Sequence, residues 1–282
     1  MTSTVKYLKD FVISKDGTKI GYRQLGKGPG LILVHGGMMA SQNLMKLGEF
    51  LADQFTIYIP DRQGRGLSQT HSNFGLMAES EDLQALVHKT KAENIYGLSA
   101  GGVVALQTSI IETSLKRIAL HEPPILTNET KTDWIKKYED AMNKGNFGKA
   151  FISIVKGTDD PSSLFNILPG FITAPLINIA MKYESKKNID DVPLKALIDA
   201  MKFDIKIVED SEGLIEKYKD TTTDVLLIKG QKSQPYLRTI IDKLSVAIPK
   251  AKCVDLIGQG HTVSDNDSNP EIVANELRQF FM

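Results

Sequence analysis

Ser99 lies between two glycines in the segment NIYGLSAGG, which starts at Asn94. The apolar residues before it are typical of a buried strand, and the residues after it, GGVVALQ, are typical of a helix. A sharp turn from strand to helix lifts a serine hydroxyl clear of a sheet, and it needs very small residues two positions before and after the serine. Gly97 and Gly101 meet that requirement. The spacing therefore predicts that Ser99 is a nucleophile.

A serine hydroxyl is a poor nucleophile at neutral pH and needs a nearby base to accept its proton. His261 is the candidate among the five histidines, because it lies in a Gly-Gln-Gly-His turn directly after the predicted strand KCVDLIG. Loops that follow parallel strands meet at one edge of a sheet, so His261 is expected at the same edge as Ser99. His71, in a polar loop, and His88, on a charged helix, are interpreted as surface residues.

Alternating strand-like and helix-like segments predict the elements that must position these side chains. The apolar runs LILVHGG, FTIYIPDRQGRG, NIYGLS and LKRIALHEP are separated by helical patterns, and the alternation resumes with DVLLIKG and KCVDLIGQGH. The first segment, FVISKDGTKIGYRQLG, predicts a hairpin that turns at Asp16 and Gly17. This order predicts an α/β fold with a mostly parallel, doubly wound sheet.

After Pro124, the alternation of strands and helices is interrupted for about a hundred residues. There, TDWIKKYEDAMNKG, NFGKAFISIVKG and VPLKALIDAMKFDIKIVEDSEGLIEKYKD predict helices. The segment PSSLFNILPGFITAPLINIAMKY is apolar and contains Pro169 and Pro175, which predict short helices that cover an apolar cavity or bury the insertion against the core. The predicted organisation is a core domain formed by residues 1–122 and 224–282, with a helical insertion at 123–223.

Charge and cysteine content exclude several classes of function. The 34 basic residues balance the 34 acidic residues, so no net field draws the chain to nucleic acid or to an anionic membrane, and a small-molecule substrate is expected. The single cysteine, Cys253, permits no intrachain disulfide and is predicted to be a buried, inert thiol. The first residues lack the apolar segment of a signal peptide, which predicts a cytoplasmic protein. The sequence has no metal-binding cluster or phosphate loop, so no cofactor is expected. The oligomeric state stays open.

Four sequence blocks in order make the chain resemble the α/β-hydrolase superfamily over nearly its full length. The blocks are HGG at 35–37, DRQGRGLS at 61–68, GLSAG at 97–101 and GQGH at 258–261. The resemblance implies an α/β-hydrolase fold with the helical insertion as its cap domain. It also implies that the backbone N–H groups of Gly37 and Ala100 stabilise an oxyanion. Alternatively, HGG is only a tight turn at the end of a strand. Asp61 and Arg62 are expected to brace loops beside the site.

The acid of the catalytic triad is not at its most common position. Members of the superfamily usually carry it in a GxxD pattern after the strand that corresponds to DVLLIKG, whereas this chain has Ser233 there. One subgroup of haloalkane dehalogenases, and some lipases, carry the acid at the end of the strand after the nucleophile helix, which is Glu122 here. The resemblance therefore implies a triad of Ser99, His261 and Glu122. Alternatively, Glu122 anchors the entrance to the cap or pairs with a lysine.

A serine at position 99 excludes the dehalogenase and epoxide hydrolase reactions, which use an aspartate there in this superfamily. Hydrolysis of esters, thioesters, lactones, amides or carbon–carbon bonds remains. We expect a cofactor-free, carboxylesterase-like hydrolase that forms an acyl-enzyme on Ser99 from a small, mostly apolar acyl substrate. The alternatives are a ligand-binding sensor with little or no turnover, a carbon–carbon bond hydrolase, and an acyltransferase or perhydrolase.

Overall fold

An eight-stranded sheet forms the centre of the structure, a computed structural model that describes residues 6–158, 169–184, 190–248 and 250–282. Its strands are β1 (Leu8–Ile13), β2 (Lys19–Gly26), β3 (Gly30–Val34), β4 (Thr56–Pro60), β5 (Asn94–Leu98), β6 (Arg117–His121), β7 (Asp224–Gly230) and β8 (Lys252–Leu256). Their order in the sheet is β1-β2-β4-β3-β5-β6-β7-β8. The β1–β2 and β2–β4 pairs are antiparallel and the remaining pairs are parallel. The predicted mostly parallel sheet and N-terminal hairpin are confirmed.

Helices cover both faces of this sheet. The described helices are α1 (Met45–Leu51), α2 (Leu76–Thr90), α3 (Ala100–Ile111), α4 (Asp133–Asn143), α5 (Phe147–Thr158), α6 (Gly170–Lys182), α7 (Leu194–Asp210), α8 (Pro235–Ala247) and α9 (Pro270–Phe281). Successive side chains of β3 point to opposite faces, so Ile32 and Val34 pack with α2, α3 and α8, while Leu31 and Leu33 pack with α1 and α9. Burial of both faces explains why the central strands are continuously apolar.

The helices α4 to α7 lie between β6 and β7 in the chain, where helices were predicted. A short 3-10 helix, Ile215–Asp220, follows them. Apolar side chains from three of these helices form a small core of their own, which includes Tyr138 on α4, Ile154 on α5, and Ile198 and Met201 on α7. This separate core supports the proposal that residues 123–223 form a cap.

The helix α6 differs from its prediction. The expected break at Pro175 is wrong, because the helix continues through this residue from Gly170 to Lys182. The helix therefore tolerates the loss of the one backbone hydrogen bond that a proline cannot donate. Large apolar side chains of α6 are exposed instead of buried, with Phe171 at 77% and Leu176 at 59%. Residues 161–168 of the same apolar segment lie outside the described residues. Within the described ranges, no helix combines the length and the apolar character that crossing a membrane requires.

Cys253 also differs from its prediction, because its side chain is exposed. The residue lies on β8, which is an edge strand of the sheet. The first residues of β8 are exposed, so the apolar sequence around Cys253 does not lead to burial. The thiol is therefore accessible to reagents.

Asp82, on α2, is a buried carboxyl whose Oδ2 accepts a hydrogen bond of 2.7 Å from Gln63 Nε2. Burial raises the pKa of Asp82 to about 7; hydrogen bonds from Ser14 and Gln63 oppose this rise, and the charge of Glu79 adds to it. The folded state therefore keeps the proton to a higher pH than the unfolded chain does, and the carboxyl destabilises the fold as the pH rises from about 4 through about 7.

We expect Asp82→Asn to raise the free energy of unfolding at about pH 8 by about 2 to 4 kcal/mol, and to have little effect at about pH 4. The amide keeps an acceptor for Gln63 Nε2 and removes the buried charge. Urea unfolding of both proteins at the two pH values measures the difference. A stability difference that is the same at both pH values would contradict this interpretation.

Candidate active site

Ser99 occupies a sharp turn between β5 and α3, with φ of 53° and ψ of −125°. A Cβ atom on Gly97 would lie 2.5 Å from the carbonyl oxygen of Gly101, and one on Gly101 would lie 2.4 Å from that of His35. Both distances are shorter than a carbon atom permits, so the two glycines are required by the close approach of strand and helix. A positive φ at a non-glycine residue stores strain that is typical of functional turns.

Glu122 immediately follows β6, with φ of 47°, and is fully buried. Its Oε2 accepts a hydrogen bond from His261 Nδ1 at 2.6 Å, and its Oε1 accepts one from the Gly230 N–H at 2.6 Å. Burial alone would raise the pKa of Glu122, but the hydrogen bond and charge of His261 outweigh it and keep the pKa below its usual value. A carboxylate can only accept here, so Nδ1 of His261 carries the proton and Nε2 is free to act as a base.

Ser233 is buried close to the same backbone. Its N–H donates to the Gly230 carbonyl, and a Cβ atom on Gly230 would lie 2.7 Å from Ser233 Oγ and 3.1 Å from the Gly260 carbonyl carbon. Ser233 therefore lies next to the histidine loop, but the carboxylate that contacts His261 belongs to Glu122, the residue after β6.

Two cavities meet at Ser99 and His261. The smaller has a volume of about 40 Å³, and Gly37, Ala100 and Trp134 are among its lining residues. The larger has a volume of about 740 Å³. Ser99 and His261 line both cavities, although within the described residues no hydrogen bond joins the two side chains. In enzymes, the hydrogen bond between a nucleophile and its base often forms only when substrate is bound.

The loop 35–38 carries Gly37 past Ser99. In the described part of the chain, the N–H groups of Gly37 and Ala100 donate to no protein acceptor, so both are free for a ligand atom. His35 braces the loop: its Nδ1 donates to the Gly36 carbonyl at 2.9 Å, and its Nε2 accepts from the Arg62 N–H. Burial, with the positive charges of Arg65 and Arg62, holds the pKa of His35 well below its usual range, so the imidazole is neutral.

A buried group of four charges lies behind this loop. Arg62 pairs with Glu79 (Nε to Oε2, 2.6 Å) and with Asp204 of α7 (Nη1 to Oδ1, 2.8 Å). Arg65 Nη2 pairs with Asp204 Oδ2 at 2.5 Å. The sequence alone did not indicate roles for Arg65, Glu79 or Asp204. Two arginines that follow an apolar strand in DRQGRG indicate buried acidic partners, but nothing local identifies those partners.

A second buried network, also missed from the sequence, lies beneath the candidate triad. His121 Nδ1 contacts Tyr96 Oη at 3.0 Å and Ser264 Oγ at 3.2 Å, and Tyr96 and Ser264 are also hydrogen-bonded to each other. Burial lowers the pKa of His121 to about 4, so this imidazole is neutral. Each member belongs to a segment that carries Ser99, Glu122 or His261, so the network ties the three segments together.

Across the described ranges, no three or more histidine, cysteine, aspartate or glutamate side chains are arranged to hold a metal ion.

Comparison with known proteins identifies the family. A model of the Alpha/beta hydrolase family matches residues 31–276. The uncharacterized hydrolase YraK of Bacillus subtilis is 27% identical over 131 residues, which are 45% of this chain and 48% of that relative, so this match spans about half of each protein. The 2-(acetamidomethylene)succinate hydrolase of Mesorhizobium japonicum is 22% identical over 93% of this chain and 91% of its own length.

The fold has close counterparts among solved structures. An alpha/beta hydrolase from Sphaerobacter thermophilus superposes with a TM-score of 0.76 at 23% sequence identity, covering 97% of this chain and all of the other. This similarity confirms the α/β-hydrolase fold, including the mostly parallel sheet.

Proposed function

The chain belongs to the alpha/beta hydrolase family, and we propose that it is a cofactor-free serine hydrolase, carboxylesterase-like, that acts on a small, mostly apolar acyl substrate. The observation that carries this proposal is the 2.6 Å hydrogen bond from His261 Nδ1 to the buried Glu122 carboxylate. It leaves Nε2 as the unprotonated nitrogen of His261, a residue that lines the same cavities as Ser99. A base oriented in this way is what a serine nucleophile requires.

In the proposed mechanism, Ser99 Oγ attacks the substrate carbonyl while His261 Nε2 accepts its proton. The carboxylate of Glu122 stabilises the imidazolium that forms. The N–H groups of Gly37 and Ala100 donate to the oxyanion of the tetrahedral intermediate, which lowers the barrier because both are in place before charge develops. His261 then protonates the leaving group, and water releases the acyl group from Ser99 by the same steps.

The unequal cavities support a short acyl group. The smaller cavity has a volume of about 40 Å³ and is lined by both proposed oxyanion donors and by apolar side chains such as Ile205 and Val208. We assign the acyl group to it and the leaving group to the cavity of about 740 Å³. Each buried methylene stabilises a bound ligand only where the cavity has room for it.

We expect kcat/KM for p-nitrophenyl esters to be highest for acetate or propionate, and at least about tenfold lower for octanoate, since a long chain does not fit the smaller cavity. A fluorophosphonate probe is expected to label Ser99, as mass spectrometry of peptides would show. Cys253→Ser is the matched control, because it removes the exposed thiol as a second nucleophile for activated esters. If the protein shows no turnover and no labelling at Ser99, the hydrolase proposal is contradicted and the ligand sensor is favoured.

The same cavities are compatible with other bonds. One relative is named 2-(acetamidomethylene)succinate hydrolase, so amides and carbon–carbon bonds belong in the substrate screen beside esters. Transfer of the acyl group to an added alcohol or to hydrogen peroxide would instead indicate an acyltransferase or a perhydrolase.

A further inference from the structure

Asp204 brings a carboxylate from the proposed cap to the loop that carries Gly37. The residue lies on α7, is 1% exposed, and its Oδ2 accepts a hydrogen bond from the Met38 N–H at 3.3 Å. Its Cγ would lie 3.3 Å from a Cβ atom on Gly37. We call residues 35–38 the oxyanion loop.

The oxyanion loop is held from its carbonyl side as well. Arg62 Nη1, which pairs with Asp204 Oδ1, also donates to the carbonyl oxygens of His35 at 3.3 Å and Gly36 at 3.4 Å. Glu79 holds the other nitrogens of the same guanidinium, at 2.6 Å and 3.2 Å. Asp204 therefore contacts the loop directly through Met38 and indirectly through Arg62.

These contacts determine the direction of the Gly37 N–H. The Gly36 carbonyl and the Gly37 N–H belong to one planar peptide group and point in opposite directions, so a donor that fixes the carbonyl also aims the N–H. The next peptide group joins Gly37 to Met38, and its N–H is fixed by Asp204. Met38 has a φ of 53°, which a non-glycine residue adopts only when its surroundings hold it there.

The charge of Asp204 is compensated on both oxygens. Arg62 contacts Oδ1 at 2.8 Å and Arg65 contacts Oδ2 at 2.5 Å. Arg65 also donates to the Ala200 carbonyl of α7, which anchors the helix to the same guanidinium. A carboxylate neutralised in this way can stand beside an oxyanion site without repelling the developing negative charge.

We propose that Asp204 is a positioning residue through which the cap holds the Gly37 N–H in place for the oxyanion. The proposal rests on the proposed function, because it concerns the transition state of the reaction at Ser99. It makes transition-state stabilisation depend on the docking of α7, although Asp204 need not touch the reacting atoms.

Asp204→Asn tests the proposal. One amide cannot accept from Arg62, Arg65 and Met38 at once, because its NH₂ group must face one of these donors. We expect kcat for p-nitrophenyl acetate to fall about 10- to 100-fold while KM changes by less than about threefold, since removal of a whole oxyanion donor costs about 10²- to 10³-fold. A short alkyl trifluoromethyl ketone forms a tetrahedral adduct with serine, and its affinity should fall by the same factor as kcat/KM.

Two further variants separate positioning from loss of folding. Asp82→Asn removes another buried carboxyl, one with no hydrogen bond to the oxyanion loop, and should leave kcat and inhibitor affinity unchanged. Arg62→Lys keeps the positive charge but loses the forked donor, and should lower kcat as Asp204→Asn does. Each kcat is calculated per active site, with the concentration of active sites measured by complete reaction with the fluorophosphonate. Circular dichroism measures the folded fraction of each variant.

Unchanged kcat in folded Asp204→Asn, or a rise in KM alone, would overturn the proposal. So would a fall in kcat with no change in affinity for the trifluoromethyl ketone. If the parent protein neither turns over esters nor reacts with the fluorophosphonate, the proposed function is wrong, and the inference falls with it.

Discussion

Ser99→Ala is expected to abolish ester hydrolysis, with a fall in kcat of about 10⁵- to 10⁶-fold. Alanine lacks the Oγ that attacks the carbonyl in the proposed mechanism, and it adds no atom to the crowded turn between β5 and α3. The variant should therefore fold like the parent. Steady-state hydrolysis of p-nitrophenyl acetate measures the loss, and intact-protein mass spectrometry after quenching, carried out in the Cys253→Ser background, should find no acetylated species.

The members of a catalytic triad act as a unit, so their losses should not add. His261→Ala is expected to cost about as much as Ser99→Ala, and the double variant no more than either single one. Ser109→Ala is the matched control, because Ser109 is a buried serine on α3 whose Oγ donates to the Leu106 carbonyl. Turnover by Ser99→Ala above about a tenth of the parent rate would contradict the nucleophile assignment.

The parts of the fold that the sequence predicted are those with local causes. Continuous apolar runs such as Leu31 to Val34 predict strands buried on both faces, and the core clusters confirm this burial. The turn at Ser99 was predictable because Gly97 and Gly101 lie two residues on either side of it. Because Ser233 occupies the usual position of the acid, the sequence favoured Glu122 as the acid, and its carboxylate lies within hydrogen-bond distance of His261 in the structure.

Other features depend on contacts between distant parts of the chain. Asp204 looks like any acidic residue on an amphipathic helix until α7 brings it against two arginines that precede it by about 140 residues. Phe171 and Leu176 belong to an apolar segment, which predicts burial, yet both are exposed. A hydrophobic pattern reports which residues avoid water but not whether the fold supplies a surface to cover them. Cys253 is exposed for a related reason, because β8 is an edge strand.

The carboxylate of Glu122 determines which ring nitrogen of His261 carries the proton. Its two oxygens accept from different donors, the Gly230 N–H and His261 Nδ1. In Glu122→Gln, the amide oxygen must stay on the Gly230 N–H, because a buried N–H has no other acceptor there. The amide NH₂ group then faces His261 Nδ1 and donates to it. The histidine carries its proton on Nε2 instead, so it can no longer accept the Ser99 proton as the proposed mechanism requires.

We therefore expect Glu122→Gln to lower kcat by about 10⁴-fold, the size of the loss when a triad acid is replaced by its amide. Glu129→Gln is the matched control. In the described chain, the exposed carboxylate of Glu129 forms an ion pair with Lys243 alone, so this variant should retain the parent activity. A kcat within about threefold of the parent in Glu122→Gln would show that Glu122 is not the triad acid.

The unused position at Ser233 allows a test by relocation. Ser233 lies against Gly230 and close to Gly260, so an aspartate there is expected to reach His261 Nδ1 from the other side of the same backbone. In the Glu122→Gln background, Ser233→Asp should raise kcat about 10- to 100-fold above that of Glu122→Gln alone, because it returns a carboxylate to the imidazole. In the parent, Ser233→Asp should instead lower kcat, since two carboxylates beside one imidazole repel each other. Recovery in one background and loss in the other would separate the need for a negative charge at His261 from a purely structural need for Glu122.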